Sequence, residues 1–363
     1  MRVAIVHDWL NQMGGAEQVL EALVEMFPGA PVYTSMYWAQ GMPERYRDWD
    51  IRTTWMDRLP GIHRNHQPYL LLYPLAFGGM ELADYDLVIS NKSAFCLGVQ
   101  TPSHACHVCY CLTPTRYVWD FDTYVHREMV NGMARQMVKP FIPWLRRWER
   151  QAADRVDAFV AISREVQTRI QRVYDSRSAI IYPPVDTDHF APASGRPTED
   201  YFLIVSRLIP YKRIDLAVRA FNQLGLPLWI AGDGRDRESL EGIAGPSVRF
   251  LGRVPDEELS DLMAGCRAFV FPGLEDFGIA PVQAMATGRP VIAFEGGGAK
   301  DYVVEGVTGA FFREQTPEDL AEAVRNFDVS SVDPQAIRAH AQKFDTEIFK
   351  SQLWAFVQEA LRG

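Results

Sequence analysis

Short apolar runs punctuate this 363-residue chain, and most are followed by a stretch with helical spacing. They fall at residues 3–6, 86–90, 107–112, 158–162 and 179–182, then at 202–205, 227–231, 248–251, 268–271 and 291–294, with a shorter candidate at Val32-Tyr33. Runs of this length suit strands buried on both faces, and strands alternating with helices build parallel, doubly wound sheets. Pro183-Pro184 interrupts the series with a stiff, non-helical step. The division predicts two Rossmann-like α/β domains, 1–184 and 185–345, in keeping with a chain too long for one ordinary core. Ile348, Phe349, Leu353, Phe356, Val357 and Leu361 share one face of a terminal helix, about 346–363, which is expected to pack back on the first domain.

One junction is more informative than the rest. The run 268–271 ends at Pro272-Gly273, Glu275 and Asp276 follow on a loop, and Gly278 and Pro281 open a helix that stops at Gly288. A carboxylate thus stands at the carboxyl end of a parallel strand, beside helix N–H groups that have no intrahelical partner. Ligands of open α/β sheets bind at that edge, and such N–H groups favour an anion or an array of hydroxyls. An isolated Glu-Asp pair is more simply a solvated cap, so its neighbours matter. Arg207 and Lys212 lie just past the strand 202–205, where a guanidinium fork and a mobile ammonium can neutralise a diphosphate. Gly14-Gly15, Gly232-Asp233-Gly234 and Gly296-Gly297-Gly298 are strand-to-helix turns at which a ligand can approach the backbone. The first lacks the full dinucleotide fingerprint.

Bulk properties exclude several classes. A net charge of −9 argues against a nucleic-acid binder, which would need a basic face. The first residues enter a strand at once, with no signal-peptide pattern, and no apolar run approaches the roughly 20 residues of a membrane span. A cytoplasmic protein with five reduced cysteines is expected. Cys106 and Cys109 have the gap of a zinc knuckle, but no second pair lies at a matching distance. Cys109 and Cys111 alternate with their neighbours as residues of a core strand do, so no metal site is expected there.

The stretch from Phe271 to Pro290 closely resembles the donor-binding signature of the retaining glycosyltransferases of family 4, in which a Glu is followed eight positions later by a second Glu. Here the first is Glu275 and the second position holds Gln283. The run Ser206-Arg207-Leu208-Ile209-Pro210-Tyr211-Lys212 resembles that family's diphosphate loop. His7-Asp8-Trp9, Gly14-Gly15-Ala16-Glu17 and 109–120 resemble its branch of mannosyltransferases from O-antigen and exopolysaccharide clusters. In that branch the residue before Thr113-Pro114 is typically His, and here it is Leu112.

The resemblance implies a GT-B fold, two Rossmann-like domains facing across a cleft, with the acceptor bound by the first domain and the nucleotide sugar by the second. It implies retaining transfer of a sugar, mannose from GDP-mannose, to a hydroxyl of a glycan or lipid-linked acceptor, with no cofactor and no metal. Glu275, Arg207 and Lys212 become the catalytic residues. Donor contacts are expected from Gly14, Gly15, Gly232, Gly234, Phe277, Gly278, Ile279 and Gln283, and the acceptor region from Asp8 and Asp120. Leu112 and Gln283 also admit a non-catalytic homologue, and the same fold admits a sugar-nucleotide epimerase. Residues 127–150 interleave basic and aromatic side chains on an acidic protein, which suits either an anionic membrane surface or a core-facing helix pair with a basic outer face. Pro140 and Pro143 rule out one continuous helix there.

Overall fold

The computed structural model describes residues 1–120, 138–192 and 198–362. The chain divides into two compact units, Met1–Pro184 with Phe349–Gly363, and Val185–Ile348.

The first unit is built on seven strands, β1 (Val3–His7), β2 (Val32–Thr34), β3 (Ile51–Thr53), β4 (Leu87–Lys92), β5 (Cys106–Cys111), β6 (Ala158–Ala161) and β7 (Ser178–Ile180). They lie in the order β3-β2-β1-β4-β5-β6-β7, and every neighbouring pair is parallel. The second unit has six, β8 (Phe202–Val205), β9 (Leu228–Ala231), β10 (Val248–Gly252), β11 (Ala268–Phe271), β12 (Val291–Phe294) and β13 (Gly309–Phe312). Their order is β10-β9-β8-β11-β12-β13, again all parallel. In each sheet the chain winds outward from the first strand in one direction and then in the other. The reversal falls between β1 and β4 in one unit and between β8 and β11 in the other, and such reversals open a crevice at the carboxyl edge.

Parallel pairing buries both faces, which is why the central strands are almost wholly apolar. In the first unit the helix Gly15–Met26 buries Val19, Leu20 and Leu23. In the second, Ile214–Leu224 buries Leu216, Val218 and Phe221 and ends at Gly225 with φ 68°. Thr316 caps Pro317–Asn326 by accepting a hydrogen bond from the Asp319 N–H at 3.3 Å. The strands β3 and β13 have no counterpart in the sequence pattern. Both are edge strands, so neither needs a long apolar run, and Arg52 and Thr53 on β3 are exposed.

The terminal helix Thr346–Ala360 buries Phe349, Leu353 and Val357, while Ile348 and Leu361 are exposed, so its apolar face is narrower than the sequence suggests. It docks on the first unit through the Phe349 ring against Tyr110, Trp354 against Phe27, and Lys350 paired with Glu25 at 2.9 Å. Of residues 127–150, those before 138 lie outside the described residues. The rest form a 3-10 turn, Lys139–Phe141, and the helix Ile142–Ala153, which buries Ile142, Leu145, Glu149, Ala152 and Ala153. Phe141 and Trp144 remain 46% exposed. No helix among the described residues is long and apolar enough to cross a membrane.

Glu149 is the polar keystone of the first unit. It pairs with Lys92 at 3.0 Å, both side chains being sealed from solvent. Its Oε1 also accepts from the Thr115 N–H and hydroxyl and from Tyr174, and its Oε2 accepts from the Trp119 indole at 2.8 Å. Burial acts to drive the Lys92 proton off, but Glu149 together with Cys111, Asp8 and Cys109 outweighs it and holds the ammonium above its usual range. One buried carboxylate therefore ties together the end of β4, the segment Thr115–Trp119 after β5 and the last residue of the helix Arg164–Tyr174. Replacing Lys92→Met should cost about 3–5 kcal/mol, because it leaves that carboxylate without its countercharge. The loss should be read from urea unfolding followed by tryptophan fluorescence; a cost under about 1 kcal/mol would show that the pair is not a keystone.

Candidate active site

At the reversal in the second sheet, the loop after β8 turns through Pro210–Lys212 and the loop after β11 brings up Glu275. The Lys212 ammonium forms a close ion pair with the Glu275 carboxylate, each side chain 14% exposed. Lys212 also lies over the Tyr211 ring, 5.2 Å from its centroid, and the Arg207 guanidinium donates to the Tyr211 hydroxyl at 3.4 Å. Tyr211 thus links the two cations. Sequence reasoning quoted it in the loop but gave it no role, since a tyrosine between two basic residues carries no signal by itself.

Glycine builds the platform beneath Glu275. A Cβ on Gly297, whose φ is +56°, would stand 2.0 Å from the Glu275 carbonyl oxygen, and one on Gly298 would stand 2.2 Å from the Phe277 Cα. The Gly298 N–H donates to that same Glu275 carbonyl at 2.9 Å. Backbone therefore rests directly on backbone, which no other residue type permits. Gly232 and Gly234 serve the cationic loop likewise. Cβ atoms there would lie 1.9 Å from the Ser206 carbonyl oxygen and 2.2 Å from that of Leu208. Their first role is to let two loops touch.

Gly278, with φ +93°, opens the helix Ile279–Ala286. Gln283 stands one turn in, 8% exposed, and its side-chain amide has no hydrogen-bond partner among the described residues. Ile279 is half-buried on the same face. Phe277 differs from expectation. Its ring is buried, packed edge-on against Tyr302 at 5.4 Å, and its carbonyl accepts from the Tyr302 hydroxyl. A donor can meet its backbone only.

In the first unit Gly14 and Gly15 begin the helix Gly15–Met26 at the reversal between β1 and β4. Asp8, expected to face an acceptor, is instead 0% exposed. One oxygen accepts from the N–H groups of Phe95 and Cys96 at 2.6 and 2.8 Å; the other accepts from those of Ser93 and Ala94 at 2.7 and 2.6 Å and from the Ser93 hydroxyl. With its lone pairs filled, Asp8 is a strut for the loop after β4 and has nothing left for a sugar. Asp120 is exposed at the end of the turn Arg116–Trp119. Leu112 is half-buried, its N–H bound to the Lys92 carbonyl at 2.8 Å. Cys109 and Cys111 are buried on β5, and desolvation raises the Cys111 thiol well above its usual range.

A family model described as Glycosyl transferases group 1 matches residues 186–343, and one described as Glycosyltransferase Family 4 matches residues 13–189. The chain belongs to glycosyltransferase family 4. A GDP-mannose-dependent alpha-(1-6)-phosphatidylinositol monomannoside mannosyltransferase of Mycolicibacterium smegmatis is 31% identical over 198 residues, 46% of this chain and 52% of that protein. An alpha-1,3/1,6-mannosyltransferase of Mus musculus is 26% identical over 329 residues, 80% of this chain and 76% of that one. The chain spans 46% to 49% of the length of several other curated relatives that it matches. Among solved structures, Anabaena HepE in complex with UDP-glucose superposes with a TM-score of 0.72 at 18% identity, covering 99% of this chain and 100% of that one. The fold is accordingly the two-domain α/β GT-B fold.

The glycine platform separates two costs that a substitution carries. Gly306, with φ +75°, has nothing within 4 Å of a built Cβ. Gly306→Ala should therefore cost only the left-handed strain, about 1–2 kcal/mol. Gly297→Ala must also push the Glu275 carbonyl aside, and should cost at least about 3 kcal/mol. Equal losses in thermal or urea unfolding would show that the two loops do not rest on each other.

Proposed function

We propose that this family 4 glycosyltransferase moves a hexose, mannose from GDP-mannose, to a hydroxyl of a glycan or lipid-linked acceptor, with retention at the anomeric carbon and without a metal. The observation that carries the reading is the Lys212–Glu275 pair, a cation suited to a diphosphate held against a carboxylate suited to sugar hydroxyls. The mannosyltransferase relatives from Mycolicibacterium smegmatis and mouse support the sugar, and the name of the first supports its nucleotide.

Loss of the nucleoside diphosphate is the hard step. Arg207 and Lys212 neutralise the charge that develops on it, and the first N–H groups of Ile279–Ala286 add the positive end of a helix dipole. Glu275 accepts hydrogen bonds from the sugar hydroxyls, and Gln283, its amide unengaged, accepts from the ribose. A neutral acceptor there is weaker than a carboxylate by roughly a factor of two. Leu112 can neither take nor give a proton, so the acceptor proton goes to the departing phosphate.

Because Lys212 is already paired with Glu275, the two residues respond oppositely to mutation. Lys212→Ala should weaken binding of GDP or UDP by about 1.5–3 kcal/mol. Glu275→Ala frees the ammonium, so bare nucleotide should bind as well or better, while turnover falls at least about 100-fold. Calorimetry and a product assay decide between outcomes; unchanged nucleotide affinity in Lys212→Ala would sink the assignment. For a lipid-linked acceptor, Phe141 and Trp144 with exposed Lys139 and Arg147 offer an apolar and basic contact to an anionic leaflet. Flotation with phosphatidylserine vesicles should then show binding that high salt reverses, and its absence at low salt refutes this contact.

A further inference from the structure

A second polar cluster occupies the reversal in the first sheet and has no part in the chemistry above. His7 ends β1, Asn91 faces it in register on β4, and Glu17 stands in the first turn of Gly15–Met26. They are 1%, 0% and 5% exposed. The Asn91 amide nitrogen donates to the Ala16 carbonyl at 2.7 Å and lies 3.3 Å from His7 Nδ1. Nδ1 is then an acceptor, which puts the ring proton on Nε2, 3.3 Å from Glu17 Oε1. One oxygen of Glu17 is therefore held. The other, Oε2, takes no hydrogen bond from any described residue.

Gly14 indicates where that oxygen points. Its φ of −171° is extended backbone that any residue adopts, so conformation does not require glycine here. A Cβ at this position, however, would stand 3.2 Å from Glu17 Oε2. The missing side chain leaves the oxygen uncovered on the side of the Gly14-Gly15 turn, and Gly15 is exposed. A carboxylate that is nine-tenths buried with an unfilled oxygen is costly unless something donates to it.

We infer that Glu17 Oε2, oriented by His7 and Asn91, is a binding site for a sugar hydroxyl. That oxygen accepts a neutral O–H donor and repels a phosphate oxygen. That the hydroxyl belongs to a sugar rests on the function proposed above. It comes from either the donor hexose or the acceptor glycan.

Four variants test this. Gly14→Ala covers Oε2 but keeps the Glu17–His7 contact, Glu17→Gln removes the charge, and His7→Gln can still donate to Oε1 where His7→Phe cannot. Bare GDP and UDP should bind Gly14→Ala and Glu17→Gln within about twofold of wild type. A sugar-dependent quantity should fall at least about tenfold in both. If that quantity is the affinity for GDP-mannose or UDP-glucose over bare nucleotide, the hydroxyl is the donor's; if it is the acceptor KM, the hydroxyl is the acceptor's. His7→Gln should retain the sugar affinity that His7→Phe loses, a split that a merely structural histidine would not produce. Tighter binding of bare nucleotide by Glu17→Gln would place the carboxylate against the diphosphate and overturn the inference. So would sugar-dependent terms unchanged in folded Gly14→Ala and Glu17→Gln. Should wild type bind no nucleotide, the proposed donor reading falls, and saturation-transfer NMR with methyl α-mannoside and methyl α-glucoside still decides this site. A signal in wild type that Gly14→Ala abolishes upholds it, and no signal in wild type overturns it.

Discussion

Parallel strand pairing is the constraint on which everything else in this protein rests. Each crossover must return to the same end of the sheet, so all strand-to-helix loops of a unit gather at one edge. Loops so gathered bring unpaired N–H and C=O groups together, and those groups must be satisfied without the help of a ladder. Each unit has its own solution. The first uses buried carboxylates, Asp8 for four consecutive N–H groups and Glu149 for a lysine, a threonine, a tyrosine and a tryptophan. The second uses glycine, laying the turn after β12 directly on the backbone of Glu275 and the turn after β9 on the loop of Arg207.

These solutions have different chemical consequences. A carboxylate that spends every lone pair on its own chain is inert, and Asp8 illustrates this. Glycine packing spends only backbone, and it leaves the Glu275 and Lys212 side chains to engage each other. Glu275 and Lys212 meet for that reason, and their ion pair holds two charges of opposite affinity at one edge before any donor arrives. On the proposed function, a diphosphate entering such a site would compete for Lys212, and a sugar for Glu275. The pair keeps both groups oriented in the meantime and shares the desolvation cost between them. Glu17 stands between the two extremes, one oxygen engaged and one open.

Much of the fold was legible because its signals are local. Apolar runs mark β1, β4, β5, β8, β11 and β12, each of which must be apolar on both faces to sit inside a parallel sheet. The break at Pro183-Pro184 falls where the two units divide. The edge strands β3 and β13 escaped notice since half-covered strands need no such run. At the candidate site, charge at the ends of predicted strands together with a family resemblance singled out Glu275, Arg207 and Lys212, and the structure brings Lys212 against Glu275. Asp8 was misread, and Phe277 has only its backbone to offer a donor, for one reason. A sequence shows that a residue adjoins a site, and burial decides whether its side chain faces inward or outward.

Sequence by itself determined the strand and helix alternation, the two-unit division and the presence of charged groups at carboxyl edges, because periodicity and turn residues act over a few neighbours. Only the tertiary structure decided which of those groups meet. Lys212 and Glu275 are 63 residues apart by their numbers, and His7 and Asn91 are separated by 84. Nothing local encodes such a pairing. It arises when strand order places β8 beside β11 and β1 beside β4, and when close packing settles which oxygen of a buried carboxylate is filled and which is left for a ligand.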